Sequence, residues 1–500
     1  MFFDGIGRLR GLSQCFAALA LLCGSVCAEE QPRPNILLIV ADDLGWGDVG
    51  WHGAKIRTPV LDRMAREGVE LTQHYVNPQC TPTRSALLSG RYASRFDNLV
   101  AFDRVSAFPP GTITLPKVLQ AAGYSTAMMG KWHLGVEPGG RPWEQQGFDY
   151  SYGSVTGAAH PWSHTYRKGP YERTWHRNGQ RVDEVGTHVT DLISREATAW
   201  LAKQDEDRPW FLYLPFLAPH TPVDAPAEWK ARYADVRFFD DEAKNESAVR
   251  YAAVISQLDD AIGNVLAVVK KKGWSENTLV VFLSDNGPVG APWPDGATYG
   301  EPALPSAWLG SAGSLRGTKG STWEGGVRVP ALAYWPKKLA PRKVKSPVSV
   351  TDWFPTIAGL TAEKAESAPN GDGQDIWPLL TGEITRPPER MIYCKYAGGM
   401  AFLRRGDWKL VTLGDTEFSR SLMPGSDRGD QLFNLATDPN ETHDLAAEQP
   451  SLMAELQQLL VKEMKKDDVG RVHRTAQYQW SRVPEQARAI RAYGTDTPER

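Results

Sequence analysis

The sequence predicts an α/β fold: a mainly parallel central sheet flanked by helices, followed by a smaller C-terminal α+β unit with an antiparallel sheet. Three patterns point there. Apolar runs without polar alternation, such as Asn35–Ala41 (NILLIVA), are what strands buried on both faces look like. Segments with helical apolar spacing alternate with those runs, the rhythm of a parallel sheet with crossover helices. Past Arg390 the rhythm changes to strand-like runs followed by one helix.

In chain order, residues 1–28 read as a secretory signal. Arg8 and Arg10 supply positive charge, residues 15–22 an apolar run, and Val26-Cys27-Ala28 a cleavage site near Ala28. The run is too short to span a bilayer, and no later stretch reads as long enough. Leu22 before Cys23 and Val26 before Cys27 argue against a lipoprotein signal. A soluble protein, secreted or periplasmic, is expected. Residues 29–388 then form the expected large domain and 389–470 the C-terminal subdomain. Residues 471–500 form a polar, Arg-rich tail.

Within the large domain, Thr58 and Pro59 start a helix as N-cap and first-turn residue, and Gly68 closes it. Val60, Leu61, Met64 and Ala65 line its inner face. Residues 126–129, 210–216 and 279–283 read as further buried strands, and 191–203 and 247–272 as helices. In the second region Met391–Lys395 and 408–412 read as strands joined through a turn at Arg405-Gly406-Asp407, and 451–465 as a helix. The loop from Asn286 to Arg316 is long and rich in Gly, Pro and Trp, and loops of that length are usually functional.

At 500 residues, 41% hydrophobic and 23% charged, the chain has the composition of a globular enzyme. A net charge of −3 leaves no basic footprint for nucleic acid or an anionic membrane. Of five cysteines, three lie in the signal, leaving Cys80 and Cys394. An oxidising compartment would allow a disulfide between them. Two thiols are no framework, however, and one of them is a candidate for chemistry.

Ligands of open parallel sheets bind beyond the carboxyl ends of the strands. Four expected strands end in polar residues there: Asp42-Asp43; Gly130-Lys131-Trp132-His133; Ala218-Pro219-His220; and Ser284-Asp285-Asn286-Gly287. Each alone could be a surface turn; four together argue against coincidence. Asp42, Asp43, Asp285 and Asn286 offer only oxygen, which suits Ca²⁺, or Mg²⁺, better than Zn²⁺. Without a cation, Asp42-Asp43 could cap a turn and Asp285-Asn286-Gly287 could simply make one.

The sharpest motif is Cys80-Thr81-Pro82-Thr83-Arg84. A bare Cys-x-Pro-x-Arg arises by chance in roughly one chain in fifty of this length. A buried thiol beside a salt-bridged arginine therefore stays open on the motif alone. Residues 85–88 behind it read as a helix start, and helix N-termini hold anions.

These residues resemble the type I, formylglycine-dependent sulfatases of the alkaline-phosphatase superfamily, with a likeness to the arylsulfatase B group in Cys80–Tyr92 and Gly147-Phe148-Asp149. The resemblance runs from about Pro34 to Lys466. It includes Pro34-Asn35-Ile36, Asp42-Asp43-Leu44-Gly45, Gly130-Lys131-Trp132-His133-Leu134-Gly135 and Asp285-Asn286-Gly287. It continues through Arg316-Gly317-Thr318-Lys319-Gly320, Trp323-Glu324-Gly325-Gly326, Gly406-Asp407-Trp408-Lys409-Leu410 and Asp438-Pro439. Thr83 and Ser89 stand where Ser and Thr are commoner.

The resemblance implies an alkaline-phosphatase-like fold and a sulfuric ester hydrolase. Cys80 would be oxidised to formylglycine by a maturation enzyme and hydrated. One hydroxyl, polarised by the cation and Arg84, attacks sulfur; the second loses its proton to His133 and expels sulfate. Asp42, Asp43, Asp285 and Asn286, with residue 80, hold the metal. Lys131 and Lys319 neutralise sulfate oxygens, and His220 protonates the departing oxygen. His160, Trp162, His164 and Tyr166 lie where the family often builds its substrate rim, and Trp293 and Trp308 sit in the long loop. A sulfated saccharide is the expected substrate, or an aryl sulfate. Two alternatives stand beside it: a phosphate or phosphonate monoester hydrolase, and an inactive sulfoglycan-binding protein.

Overall fold

A computed structural model describes residues 33–101, 107–135, 142–166, 173–290, 305–361, 371–414, 416–423 and 429–467. The signal segment, Trp293 and the tail 471–500 lie outside the described residues.

The large sheet has ten strands. Its centre is five parallel neighbours in the order Thr278–Ser284, Asn35–Ala41, Trp210–Pro215, Ser125–Lys131 and Tyr150–Ser154. Ala331–Tyr334 and Trp175–Arg177 add antiparallel strands on the two sides, so the sheet is mixed at its margins. Alternate residues of Asn35–Ala41 serve opposite faces. Ile36, Leu38 and Val40 enter one apolar core, whereas Leu37, Ile39 and Ala41 enter the other. Helices Cys80–Ser89, Leu115–Ala121 and Trp353–Thr361 cover the first face. Helices Pro59–Glu67, Val189–Ala202 and Glu242–Lys271 cover the second. The unbroken apolar runs are thus explained by burial on both sides.

The helix at Pro59–Glu67 begins at the expected place, but the Thr58 side chain does not cap it. The carboxylate of Asp259, from the 242–271 helix, accepts from the Val60 and Leu61 amides at 2.9 and 2.8 Å instead. Glu242–Lys271 is longer than the expected 247–272 at its start, with Asp241 accepting from the Lys244 amide. By length and apolar content alone this helix could cross a membrane, contrary to the expectation that no such stretch exists. However, 67% of its apolar window is buried against the sheet and its neighbours.

The C-terminal sheet is antiparallel, in the order Met391–Lys395, Met400–Arg405, Trp408–Leu413 and Gln431–Asn434. The turn at Gly406-Asp407 joins Met400–Arg405, not Met391–Lys395, to Trp408–Leu413. That middle strand was missed because it closes on two arginines, one of which, Arg404, is buried against the Tyr75 ring. Helix Pro450–Met464 packs on this sheet. Cys80 and Cys394 are both free thiols, each buried, and no disulfide joins them.

Gly130 shows how tightly the centre is assembled. Its φ is +131°, and a Cβ there would stand 1.8 Å from the Pro215 carbonyl oxygen. Gly130→Ala should therefore destabilise the protein by roughly 3 kcal/mol, combining backbone strain with overpacking. Chemical denaturation would measure this; a loss below about 0.5 kcal/mol, the range of surface changes, would contradict it.

Candidate active site

The four central strands that lead into the polar motifs are consecutive in the sheet and parallel, so their carboxyl ends open on one edge. Main-chain bonds carry the alignment past the strands. Asp42 N–H donates to Ala218 O at 3.0 Å, and Asp285 N–H donates to Ala41 O at 3.0 Å. His133 N–H reaches Val155 O at 3.1 Å. The backbone turns sharply at this edge: Asp43 and His133 hold φ of +66° and +53° although neither is glycine.

The helix facing this edge starts at Cys80 itself, earlier than the expected 85–88, and holds the whole Cys-x-Pro-x-Arg motif. Cys80 and Arg84 are one turn apart and share a face. Thr81 Oγ1 donates to the His133 carbonyl at 2.9 Å, fastening the helix to the strand end beside it.

Three carboxylates and three cations meet here. Lys131 Nζ lies 2.6 Å from Asp42 Oδ2, and Lys319 Nζ lies 2.6 Å from Asp43 Oδ1. Arg84 donates from Nε and Nη2 to Asp285 Oδ2 at 3.0 and 2.7 Å, and from Nη1 to the Lys131 carbonyl at 3.1 Å. Asn286 Nδ2 donates to Asp43 Oδ1 at 2.7 Å. His220 Nε2 stands 3.7 Å from Asp43 Oδ2. Sequence reading thus identified residues that converge: Asp42, Asp43, Cys80, Arg84, Lys131, His220, Asp285, Asn286 and Lys319 occupy one site, with His133 beside it.

Burial sets the proton affinities, and the neighbours correct them. Asp42 is pushed up to about 8 by burial, with Asp285 and Asp43 adding and Lys131 and Arg84 opposing. Burial would also raise Asp43, but Lys319, His220 and Lys131 hold it well below the carboxylate range. Burial lowers His220 to about 3, against the pull of Asp43 and with the help of Lys319 and Lys131. His133 falls well below its usual value through burial and then the charges of Lys131, Arg84, His220 and Lys319. Burial would lower Lys319, but Asp43, with Cys80, Asp42 and Asp285, holds it above its ordinary value. The Cys80 thiol is raised by burial.

Asp42 Oδ1, Asp43 Oδ2 and Asn286 Oδ1 are buried oxygens with no hydrogen-bond partner. Orphaned buried acceptors are costly unless something else satisfies them. Ligand atoms of Asp42, Cys80 and Asp285 lie within 4.8 Å of one another, and so do those of Asp42, Asp43 and His220. Those groups include one sulfur and one ring nitrogen, but the three orphaned oxygens of Asp42, Asp43 and Asn286 fit a hard divalent cation.

The chain matches the sulfatase family profile over residues 34–363. It is 31% identical to arylsulfatase J of Mus musculus over 85% of this chain and 74% of that one. Identity is also 31% to N-acetylgalactosamine-6-sulfatase of Mus musculus, over 86% of this chain and 83% of that one. The crystal structure of Ps i-CgsB superposes with a TM-score of 0.75 at 31% identity, covering 88% of this chain and 94% of the other. The same protein in complex with k-i-k-neocarrahexaose gives 0.73 at 30%, with the same coverage. The chain belongs to the sulfatase family. It is a sulfuric ester hydrolase on an alkaline-phosphatase-like fold, as the resemblance implied.

In this sulfatase, the four residues expected at a substrate rim are engaged within the protein. His160 Nδ1 accepts from the Trp162 and Ser163 amides, both at 3.3 Å. Trp162 Nε1 donates to Asp224 Oδ2 at 2.9 Å, and His164 Nε2 bonds the Thr187 carbonyl at 2.8 Å. Tyr166 is buried in the first core. Trp308 packs against Tyr251 and Phe239. Two supporting residues escaped sequence reading. Tyr251 donates its hydroxyl to the Asp43 carbonyl at 3.1 Å and to Asp48 Oδ2 at 3.0 Å, yet on a helical apolar face it reads as core. Gly157 passes so close to the His133 ring that a Cβ would sit 2.4 Å from Nε2; nothing in its sequence neighbourhood marks it.

Calcium added to chelator-treated sulfatase should raise its melting temperature, by an amount equivalent to about 2.7 kcal/mol at a hundredfold excess over Kd. Asp285→Ala should remove the shift. Differential scanning calorimetry checks both without any substrate, and an unchanged melting temperature would count against the cation site.

Proposed function

We propose that this chain is a secreted sulfatase that removes sulfate from sugars of a glycan, using formylglycine formed at Cys80 and a cation, Ca²⁺ in preference to Mg²⁺. The observation that carries the reading is the start of the Cys80–Ser89 helix buried against three carboxylates and three cations. The sugar substrate is supported by the names of relatives, an N-acetylgalactosamine-6-sulfatase and a protein crystallised with a neocarrahexaose. Maturation then needs a formylglycine-generating enzyme as partner. The domain limits proposed are 29–388 and 389–470, with export directed by residues 1–28.

Asp42, Asp43, Asp285 and Asn286 would hold the cation, which supplies Lewis-acid polarisation next to residue 80. Formylglycine at residue 80, once hydrated, would supply one hydroxyl for attack on sulfur and a second whose deprotonation would release sulfate. Arg84 fixes Asp285 and the Lys131 carbonyl, keeping residue 80 in register with the carboxylates. Lys131 and Lys319 bring positive charge to the sulfate oxygens, where a buried site makes it most effective. His133 is neutral through burial and can accept a proton.

His220 is the proposed acid for the departing oxygen. Its Nδ1 lies 2.6 Å from the Thr221 carbonyl, so Nδ1 carries a hydrogen and the proton to be transferred sits on Nε2. Only the imidazolium can donate it. With the free group lowered to about 3, the negative charge of a bound sulfate ester must favour that form. Lys319 is the second candidate, because Asp43 keeps its ammonium protonated.

Expressed with a formylglycine-generating enzyme, Cys80 should show loss of sulfur by peptide mass spectrometry and react with a hydrazide probe. The same preparation should have a higher kcat/KM on sulfate than on matched phosphate monoesters. Activity from a wholly thiol Cys80, or a phosphate preference, would overturn the proposal.

A sugar alkoxide leaves badly without a proton, whereas a nitrophenolate leaves unaided. His220→Ala should slow the first half-reaction about 10²–10⁴-fold on a sugar sulfate and far less on nitrophenyl sulfate. His133→Ala should slow both esters alike and give a burst of released alcohol before slow turnover. Single-turnover kinetics separate the steps; equal first-step losses for His220→Ala would move the acid to Lys319.

A further inference from the structure

The C-terminal sheet and the segment after its last strand take no part in the chemistry above, yet they grip the loop that carries Lys319 at both ends. Glu441 makes the two ties. Its carbonyl accepts from Arg316 Nη1 at 3.1 Å, and its carboxylate Oε2 accepts from the Glu324 amide at 2.6 Å. Lys409, on the strand Trp408–Leu413, locks the arrangement by pairing with Glu324 Oε1 at 2.9 Å and Glu441 Oε1 at 2.8 Å. All three of these charged side chains are fully buried. Glu441 also holds a left-handed backbone, φ +55°, which turns its carbonyl and its side chain toward the same loop. Between the ties, Trp323 Nε1 donates to Gln431 Oε1 at 3.0 Å, and the Arg316 guanidinium lies 3.7 Å over the Trp323 ring.

The far side of the loop meets the active site. Lys319 N–H donates to Pro288 O at 2.8 Å, just past Asp285-Asn286-Gly287, and Gly320 N–H donates to Pro78 O at 2.8 Å, just before Cys80. Its ammonium reaches Asp43. A buried glutamate–lysine–glutamate cluster is weak evidence for stability, since apolar replacements often hold a fold as well. Placement is a better reason to keep it here.

We infer that Glu441 is a positioning residue for Lys319: by tying Arg316 and Glu324 to the C-terminal sheet it fixes where the 316–324 loop presents its ammonium. The inference rests on the proposed role of Lys319 in turnover. An active-site group misplaced by about 1 Å can cost on the order of 10²-fold.

The test is a double-mutant cycle on the full-length enzyme, matured by co-expression with a formylglycine-generating enzyme, with 4-nitrophenyl sulfate as probe. Glu441→Ala removes the side-chain acceptor of the Glu324 amide and leaves Lys409 paired with Glu324, so the protein should still fold. Its kcat/KM should fall about 10²-fold, mainly in kcat. In the Lys319→Ala background the same change should cost less than about twofold, since it acts through a group already gone. Equal losses in both backgrounds, with Lys319→Ala itself slow, would overturn the positioning role and leave that of Lys319 standing. An unimpaired Lys319→Ala would instead remove the role of Lys319 and this inference with it. If Glu441→Ala does not fold, Arg316→Gln cuts the other tie at a partly exposed side chain, and the same cycle decides.

Discussion

Asp42, Asp43 and Asp285 are driven together at two neighbouring strand ends with at most 2% of any of them exposed, and the rest of the structure answers that constraint. Moving one unpaired carboxylate out of water costs several kcal/mol, and placing three side by side adds their repulsion. Each is met by its own cation from a different element: Lys131 from a strand, Lys319 from a loop, Arg84 from a helix. Only a sheet with adjacent parallel strands brings two acidic ends, a lysine and a histidine turn to one edge. Antiparallel neighbours would have sent alternate ends to opposite sides.

Most of the candidate site was legible because its polar side chains sit where apolar runs stop. Asn35–Ala41 is too apolar to end in two aspartates without reason, and Thr278–Ser284 leads straight into Asp285. The start of the Cys80 helix was not legible. Gln79 offers no side-chain cap, and the helix is buried on every side, so no apolar stripe marks its first turn. Met400–Arg405 was lost for a related reason, since a buried arginine reads as surface. The order of the outer strands depends on pairings between segments more than two hundred residues apart, such as Val69–Leu71 with Ala331–Tyr334, which no local pattern encodes.

The aromatic loop at residues 160–166 was expected at a substrate rim. Histidines and a tryptophan in such a loop invite a ligand role, but here His160 Nδ1, Trp162 Nε1 and His164 Nε2 each bond within the protein. A polar atom already satisfied inside the protein must give up that bond before it can serve a sugar hydroxyl. Ahead of that loop, Gly157 lets the backbone lie against the His133 ring.

Charge balance bears on selectivity. Three carboxylates against three cations leave the protein groups formally neutral, so a divalent cation held among them sets the field at about +2. A sulfate monoester brings a single negative charge to that field, whereas a phosphate monoester brings about −1.5 to −2 near neutral pH. Anion capture by charge alone would therefore favour phosphate, the wrong substrate for a sulfatase. Discrimination must fall on the chemical step, where the donors meet charge as it shifts and not the ground-state anion. On the roles proposed for Lys131 and Lys319, where they stand, each paired with an aspartate at 2.6 Å, would matter more than how many cations the pocket holds.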